Sequence, residues 1–169
     1  MFTGSWSSGF TVAAKFSKNT RFDRRRLGEN LTMSLITGKY QHYKNEDIEE
    51  FFAAVGVPYL GRKAINMASP TIEISLNGDT MTFKEKSLIF TLENTFNLGE
   101  EYDENMPTKI LKSVTIIIND CEMVTNMVES DTGAKCSRHY IFTESECVVT
   151  FTHEKASRPG KRYFHRIKA

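Results

Sequence analysis

The fold is decided by residues 71–87, which read TIEISLNGDTMTFKEKS. On both sides of the centre, apolar residues alternate with polar ones, which is the period-two pattern of a half-buried β-strand. At the centre, Asn77 and Gly78 form a dipeptide that strongly favours a tight hairpin turn, because both residues tolerate positive φ. The stretch therefore predicts two antiparallel strands joined by a short turn.

The same pattern continues along the rest of the chain. Short alternating segments follow at 89–96, 100–104, 109–118, 121–129, 134–142, 147–153 and 161–168, each bounded by turn residues. A first strand is predicted at 36–44, where Ile36, Gly38, Tyr40 and His42 share one face. Some ten evenly spaced antiparallel strands predict a sheet that closes on itself, because closure removes unpaired edges. Polar residues at many inward positions indicate an internal cavity.

A short helical pair interrupts the strands. In NEDIEEFFAAVG, residues 45–56, apolar residues recur at helical spacing and Asn45 is predicted to cap the helix. A second helix is predicted between Pro58 and Pro70, and its expected apolar stripe is Leu60, Ala64, Met67 and Ala68. Because this pair is too small to form a core, we expect it to lie on the barrel as a movable cover.

The charge is distributed unevenly between two parts of the chain. Residues 1–32 hold six Lys or Arg against two acidic residues, and residues 33–169 hold 16 basic against 19 acidic residues. We interpret 1–32 as a disordered basic extension, with a mitochondrial transit peptide as the alternative, and 33–169 as the barrel domain. A domain with a net charge of −3 has no bulk electrostatic reason to bind nucleic acid.

Cysteine usage and motifs limit the classes of function. Three cysteines without paired spacing argue against a disulfide framework and against a zinc site, and they favour a reducing compartment such as the cytoplasm. The sequence has no nucleophile elbow, zinc-protease motif or phosphate loop. We therefore expect neither an enzyme nor a cofactor.

Residues 34–169 resemble the intracellular lipid-binding proteins, a family that comprises fatty-acid-binding proteins and their retinoid-binding relatives. The segments NGDTMTFKEKS (77–87) and FNLGEEYDE (96–104) carry the most specific resemblance, and VGVPYLGRKAINMASP (55–70) is similar to the family's second helix. The resemblance implies an all-β fold, a ten-stranded antiparallel up-and-down β-barrel (β-clam) with a helix-turn-helix lid between strands 1 and 2. It also implies a monomer that binds and transports long-chain fatty acids inside the barrel.

The resemblance further implies a clamp for the ligand carboxylate, formed by an Arg on the eighth strand and an Arg-x-Tyr on the tenth. Arg138 and Tyr140 share one face of the eighth strand. The tenth strand fits the pattern either as Arg162 with Phe164, which we favour, or as Lys161 with Tyr163. The remaining ligand-binding residues implied by the resemblance are Phe51, Phe52, Val55, Val57, Met67 and Ile89.

Affinity and selectivity should come from different parts of this site. Burial of a methylene contributes ~0.8 kcal/mol, whereas hydrogen bonds to a charged group contribute about 1.5 to 3 kcal/mol net. The apolar lining would therefore supply most of the affinity, and the arginines would select the head group. A retinoid or another hydrophobic carboxylate is the alternative ligand, and an interaction protein that uses the barrel as a scaffold is the alternative class.

A membrane contact is predicted beside the lid. Arg62 and Lys63 lie outside the expected apolar stripe of the second helix. We expect them to face solvent, where they could touch an anionic membrane surface during ligand transfer. The alternative is that these two side chains only make the solvent-facing side of the helix polar.

Overall fold

The computed structural model of the chain describes residues 35–88, 90–106 and 109–167. A first strand and two helices are followed by nine further strands. The elements are β1 (Gly38–Glu46), α1 (Ile48–Ala54), α2 (Tyr59–Met67), β2 (Thr71–Asn77), β3 (Thr80–Lys86), β4 (Thr91–Asn97), β5 (Glu101–Asn105), β6 (Ile110–Asn119), β7 (Glu122–Glu129), β8 (Lys135–Phe142), β9 (Glu146–His153) and β10 (Gly160–Ile167). The predicted basic extension lies outside the described residues.

The ten strands form one antiparallel sheet that curves into a nearly closed barrel. Their order is β4-β3-β2-β1-β10-β9-β8-β7-β6-β5, so β1 and β10 pair and bring the two ends of the domain together. The prediction of a ten-stranded up-and-down barrel with two helices between β1 and β2 is confirmed. The expectation of complete closure is wrong at one seam, because β4 and β5 are not hydrogen-bonded to each other.

Aromatic side chains lie across that open seam. The rings of Phe96 on β4 and Tyr102 on β5 stack with their centroids 3.9 Å apart. Phe96 belongs to the main hydrophobic core, and Tyr102 packs against it. Side-chain packing therefore bridges the two strands where backbone pairing is missing.

The core is divided into two clusters, one within the barrel and one beneath α1. The larger cluster includes Tyr40, Met81, Phe142 and Phe164, and the smaller one contains Ile48, Phe51, Val55, Leu111, Met127 and Cys136. The first helix thus uses its apolar face to contact the barrel wall. This packing leaves α2 as the more weakly held part of the cover, since none of its residues is fully buried.

The helical pair differs from the sequence prediction in two details. Asn45 does not cap α1. It lies within β1, and Asp47 precedes the helix in a left-handed conformation without a side-chain capping bond. The predicted stripe of α2 is also wrong, because Leu60 and Met67 are 79% and 88% exposed.

The inward face of α2 shares only Ala64 with the predicted stripe. Gly61, Ala64 and Ile65 point into the barrel interior. The helix is therefore rotated relative to the predicted stripe. A consequence is that the space beneath this helix stays open.

A buried ion cluster beside α1 connects the ends of β7 and β9 with the residue that precedes β6. The carboxylate of Glu129 is 1% exposed, and it accepts hydrogen bonds from Lys109 at 2.8 Å, from His153 at 3.2 Å and from Thr132. The His153 Nδ1 accepts a bond from the backbone N–H of Lys155, so its Nε2 carries the proton that faces Glu129. Burial alone would raise the pKa of Glu129, but these donors lower it to about 2.

Gly160, the first residue of β10, allows α1 to approach the sheet closely. A β-carbon at this position would lie 2.7 Å from Cα of Ile48 and 2.9 Å from the carbonyl oxygen of Asp47. Both are backbone atoms, which cannot move without displacing the helix. Gly160→Ala is therefore expected to lower the free energy of unfolding by about 2 kcal/mol, as measured by urea denaturation.

Gly61→Ala is the matched control for that variant. A β-carbon at Gly61 would meet a side-chain methyl of Val57 at 3.1 Å and no backbone atom of the sheet, and alanine favours a helix by up to about 1 kcal/mol. Its unfolding free energy should therefore equal or exceed that of the unmodified chain. A Gly160→Ala variant as stable as Gly61→Ala would contradict the close approach of α1.

Candidate functional site: the barrel cavity

A large cavity lies inside the barrel beneath the two helices. Its volume is about 550 Å³, which is within the range of sites that enclose small-molecule ligands. Most of its wall is apolar, and both helices and every strand except β1 contribute to it. Among them are Phe51, Val57, Ile72, Leu92, Leu111, Met127, Val149 and Phe151. An apolar space of this size suits a flexible aliphatic chain.

Two arginines point into this cavity from neighbouring parts of the sheet. Arg138 on β8 and Arg162 on β10 line the cavity wall, and their side chains are only 12% and 6% exposed. Alternation places Tyr140 and Phe164 on the same inward faces as the arginines. The strands thereby turn the positively charged groups away from bulk solvent.

Arg162 has two hydrogen-bond partners and one unpartnered amino group. Its Nη1 donates to Glu85 Oε1 at 3.2 Å, and its Nε donates to Asn45 Oδ1 at 3.3 Å. The buried Nη2 has no hydrogen-bond partner among the described residues. Burial lowers the pKa of Arg162, and the Glu85 carboxylate partly opposes that effect. Because Arg162 lines the cavity, this nitrogen is a donor that a ligand atom in the cavity could approach.

Arg138 is paired even more tightly. Its Nη2 donates to Glu104 Oε2, a carboxylate that is itself 1% exposed. Burial lowers the pKa of Arg138, but the charge and hydrogen bond of Glu104, together with Tyr140 and Tyr102, raise it, and the net direction is upward. Within the described residues, Arg138 Nε and Glu104 Oε1 remain unpartnered. This pair therefore offers one donor and one acceptor.

Tyr140 lies between the two ion pairs. Burial raises the pKa of its hydroxyl, and the charges of Arg138, Glu104 and Glu85 all act on it. The hydroxyl also influences Arg162. Tyr140 thus stays protonated and can donate a hydrogen bond. We refer to Arg138, Tyr140, Arg162, Glu85 and Glu104 as the polar cluster.

The structure brings most of the predicted ligand-binding residues to the cavity. The residues that line it are Arg138, Tyr140, Arg162, Phe164, Phe51, Phe52, Val55 and Val57. Ile89 lies outside the described residues. Met67 was predicted to line the cavity but faces solvent, because α2 is rotated.

The orientation of β10 distinguishes between the two predicted pairs, Arg162 with Phe164 and Lys161 with Tyr163. The Tyr163 ring lies on the outer surface, where its hydroxyl donates to Glu46 Oε2 at 2.9 Å. Lys161 also faces Glu46, with 3.8 Å between Nζ and Oε1. The alternative that pairs Lys161 with Tyr163 in the cavity is therefore wrong.

Sequence reasoning missed the two carboxylates of the polar cluster. Glu85 shares an inward face of β3 with Phe83, and Glu104 shares one of β5 with Tyr102. Alternation could have identified these positions as inward. It could not have shown that each carboxylate meets an arginine on a distant strand.

The exposed face of α2 carries both charge and apolar surface. Lys63 is exposed, with its Nζ 5.1 Å from the centroid of the Tyr59 ring. Arg62 does not simply face solvent as predicted, because it bonds to Glu49 at 2.9 Å and to the Val57 carbonyl at 2.7 Å. Leu60 is largely exposed beside them. Among the described helices, none is long and apolar enough to cross a bilayer.

Comparison with known proteins places this cavity in context. No family model matches the chain. It is 30% identical over 131 residues to a fatty acid-binding protein of Lepidoglyphus destructor, a match that covers 77% of this chain and 99% of the relative. It is also 34% identical over 118 residues to fatty acid-binding protein homolog 5 of Caenorhabditis elegans, covering 68% and 85% of the two chains.

Solved structures show the same fold. A Schistosoma mansoni fatty acid binding protein, solved in complex with arachidonic acid, superposes with a TM-score of 0.75 at 23% identity, covering 82% of this chain and all of that one. Lipid binding protein 8 of Caenorhabditis elegans superposes with a TM-score of 0.73 at 22% identity, covering 82% and 99%. Taken with the sequence relatives, this architecture shows that the chain belongs to the fatty-acid-binding protein family and is a lipid-binding protein, not an enzyme.

Proposed function

We propose that the protein binds and transports long-chain fatty acids, with the acyl chain in the barrel cavity and the carboxylate at Arg162, Arg138 and Tyr140. The observation that carries this proposal is the cavity itself, an apolar space of about 550 Å³ lined by two buried arginines, each of which has a guanidinium nitrogen without a partner among the described residues. The names of the relatives, which are fatty acid-binding proteins, support the same ligand class.

In such a complex, the acyl chain of the ligand contributes more binding free energy than the head group. Burying about a dozen methylenes contributes on the order of 10 kcal/mol before entropy costs. A guanidinium contributes less, but its planar fork stays charged when buried and matches two carboxylate oxygens. Arg162 would accordingly orient the ligand, and the cavity wall would hold it.

Identification of co-purified lipid tests the proposed function. The full chain would be expressed, purified and extracted, and the extract analysed by mass spectrometry. We expect long-chain fatty acids in roughly equal molar amounts to protein. Retinoids or other hydrophobic carboxylates would support the alternative ligand. The absence of any lipid, together with no binding of added oleate, would favour a scaffold that acts only through protein contacts.

We further propose that α2 contacts anionic membranes during ligand transfer. Lys63 is exposed, and Leu60 and Met67 present apolar surface on the same helix. A cation near an anionic bilayer contributes about 1 kcal/mol, and exposed apolar side chains can enter the interface. Because Arg62 is engaged with Glu49, Lys63 is the better residue to test.

Lys63→Glu is expected to slow transfer of a fluorescent fatty acid to anionic vesicles by at least about fivefold. Transfer to zwitterionic vesicles should change little. Lys39→Glu, which makes the same charge change at an exposed position in β1, is the control and should leave both rates near those of the unmodified chain. Equal slowing with both kinds of vesicle would count against the membrane contact.

The proposal places the protein in the cytoplasm as a monomer. A basic extension that acts as a transit peptide would instead direct it to mitochondria. Cell fractionation of the full chain distinguishes the two compartments, and light scattering of the purified protein measures its mass.

A further inference from the structure

Each arginine of the cavity already faces a carboxylate of the protein. Arg162 pairs with Glu85, whose side chain is 15% exposed, and Arg138 pairs with Glu104, which is 1% exposed. The two positive and two negative charges cancel within the polar cluster. An ionised fatty acid would therefore add an unbalanced negative charge to a buried site.

Burial makes that imbalance costly. A charge taken out of water must be matched by a partner of opposite sign, or the complex loses affinity. At Arg162, the ligand carboxylate would have to share one guanidinium with Glu85. The two carboxylates would repel each other across that group.

The unpartnered atoms of the polar cluster have a mixed pattern. Arg162 Nη2 and Arg138 Nε are donors without acceptors, whereas Glu104 Oε1 is an acceptor without a donor. A carboxylate can satisfy only the two donors, because an ionised carboxylate has no hydrogen to give. A primary amide or a hydroxyl group both accepts and donates, and it adds no charge.

We propose that Glu85 is a specificity-determining residue, which holds Arg162 and thereby admits acyl lipids with uncharged, hydrogen-bonding head groups alongside free fatty acids. This inference rests on the proposed function, since it concerns the choice among acyl lipids for the same cavity. Glu85 acts by occupying the guanidinium that would otherwise favour a carboxylate. Fatty amides and fatty alcohols are the chemical class that the neutral cluster suits.

Oleate and oleamide form a matched pair of probes for this proposal. They share one acyl chain and differ in the charge of the head group. Their dissociation constants would be measured on the delipidated full chain by displacement of an uncharged fluorescent probe. We expect the two constants to lie within about tenfold of each other in the unmodified protein, because the neutral cluster gives the carboxylate little advantage.

Glu85→Gln should change that selectivity. With its competitor removed, Arg162 becomes available to the ligand, and oleate affinity should rise by about tenfold. Oleamide affinity should change less than about twofold, because its head carries no charge. Glu93→Gln makes the same change in net charge at an exposed ion pair of β4 and should alter neither constant.

The outcomes separate this inference from the proposed function. If neither probe binds the unmodified chain, the proposed function itself fails. If Glu85→Gln changes both affinities by the same factor, or leaves oleate unchanged, Glu85 does not determine specificity. If the variant fails to fold, the unmodified chain still tests the proposal. A preference for oleate over oleamide above about a hundredfold would contradict the claim that the polar cluster gives a carboxylate little advantage.

Discussion

Arg162→Gln is expected to weaken oleate binding by about a hundredfold, the largest effect on affinity of any single change in the cavity. The variant loses the free Nη2–H that we assign to the ligand carboxylate. It also leaves the Glu85 carboxylate without its ion-pair partner in a buried site. That carboxylate would then repel the ligand head group. Displacement of an uncharged fluorescent probe by oleate measures the effect.

Lys161→Gln is the matched control for Arg162→Gln. It removes the same charge from the adjacent residue of β10, but its Nζ lies on the outer surface near Glu46. Oleate affinity should stay within about twofold of the unmodified value, since surface charges are screened by solvent. Equal losses in the two variants would show that net charge, and not the cavity arginine, governs binding.

Glu129→Gln is expected to lower the free energy of unfolding by about 3 kcal/mol. The change removes the charge that Lys109 faces, and the Lys109 side chain is only 11% exposed. A buried cation without its partner is more costly than no ion pair at all. Urea denaturation monitored by circular dichroism gives the measurement, with Glu93→Gln as an exposed control whose effect should stay within about 0.5 kcal/mol.

The buried ion cluster around Glu129 should also make the free energy of unfolding depend on pH. Because the pKa of Glu129 lies near 2 in the folded chain, against an ordinary value of 4.5, the folded state binds fewer protons than the unfolded state between these values. Its contribution is complete above about 4.5 and is lost as the pH falls towards 2. The Glu129→Gln chain should lose less stability over this window. If the free energy of unfolding falls equally with pH in the two chains, Glu129 does not cause the pH dependence.

Much of the fold follows from local sequence patterns. Each hairpin depends on alternation and on a turn only a few residues long, such as Gly78 and Asp79 between β2 and β3, so neighbouring residues contain the necessary information. The seam between β4 and β5 does not follow from these patterns. A short turn joins these two strands as in the other hairpins, yet they do not pair.

The candidate site could be predicted in part for the same reason. Alternation places Arg162 and Phe164 on one face of β10, and the packed barrel makes that face the inner one. The orientation of α2 was harder to predict, because Leu60 and Ile65 give a helix of nine residues two competing apolar faces. Ion-pair partners were not predictable, since Glu85 and Arg162 are 77 residues apart in sequence.

The most direct test of the central claim, that the barrel holds an aliphatic chain inside its wall, is nuclear magnetic resonance of the full chain with ¹³C-labelled oleate. We expect nuclear Overhauser contacts from the methylenes of the ligand to methyl groups of Leu111 and Val149, both of which line the cavity. Contacts only to exposed side chains such as Ile118 or Val128, with none to Leu111 or Val149, would contradict it.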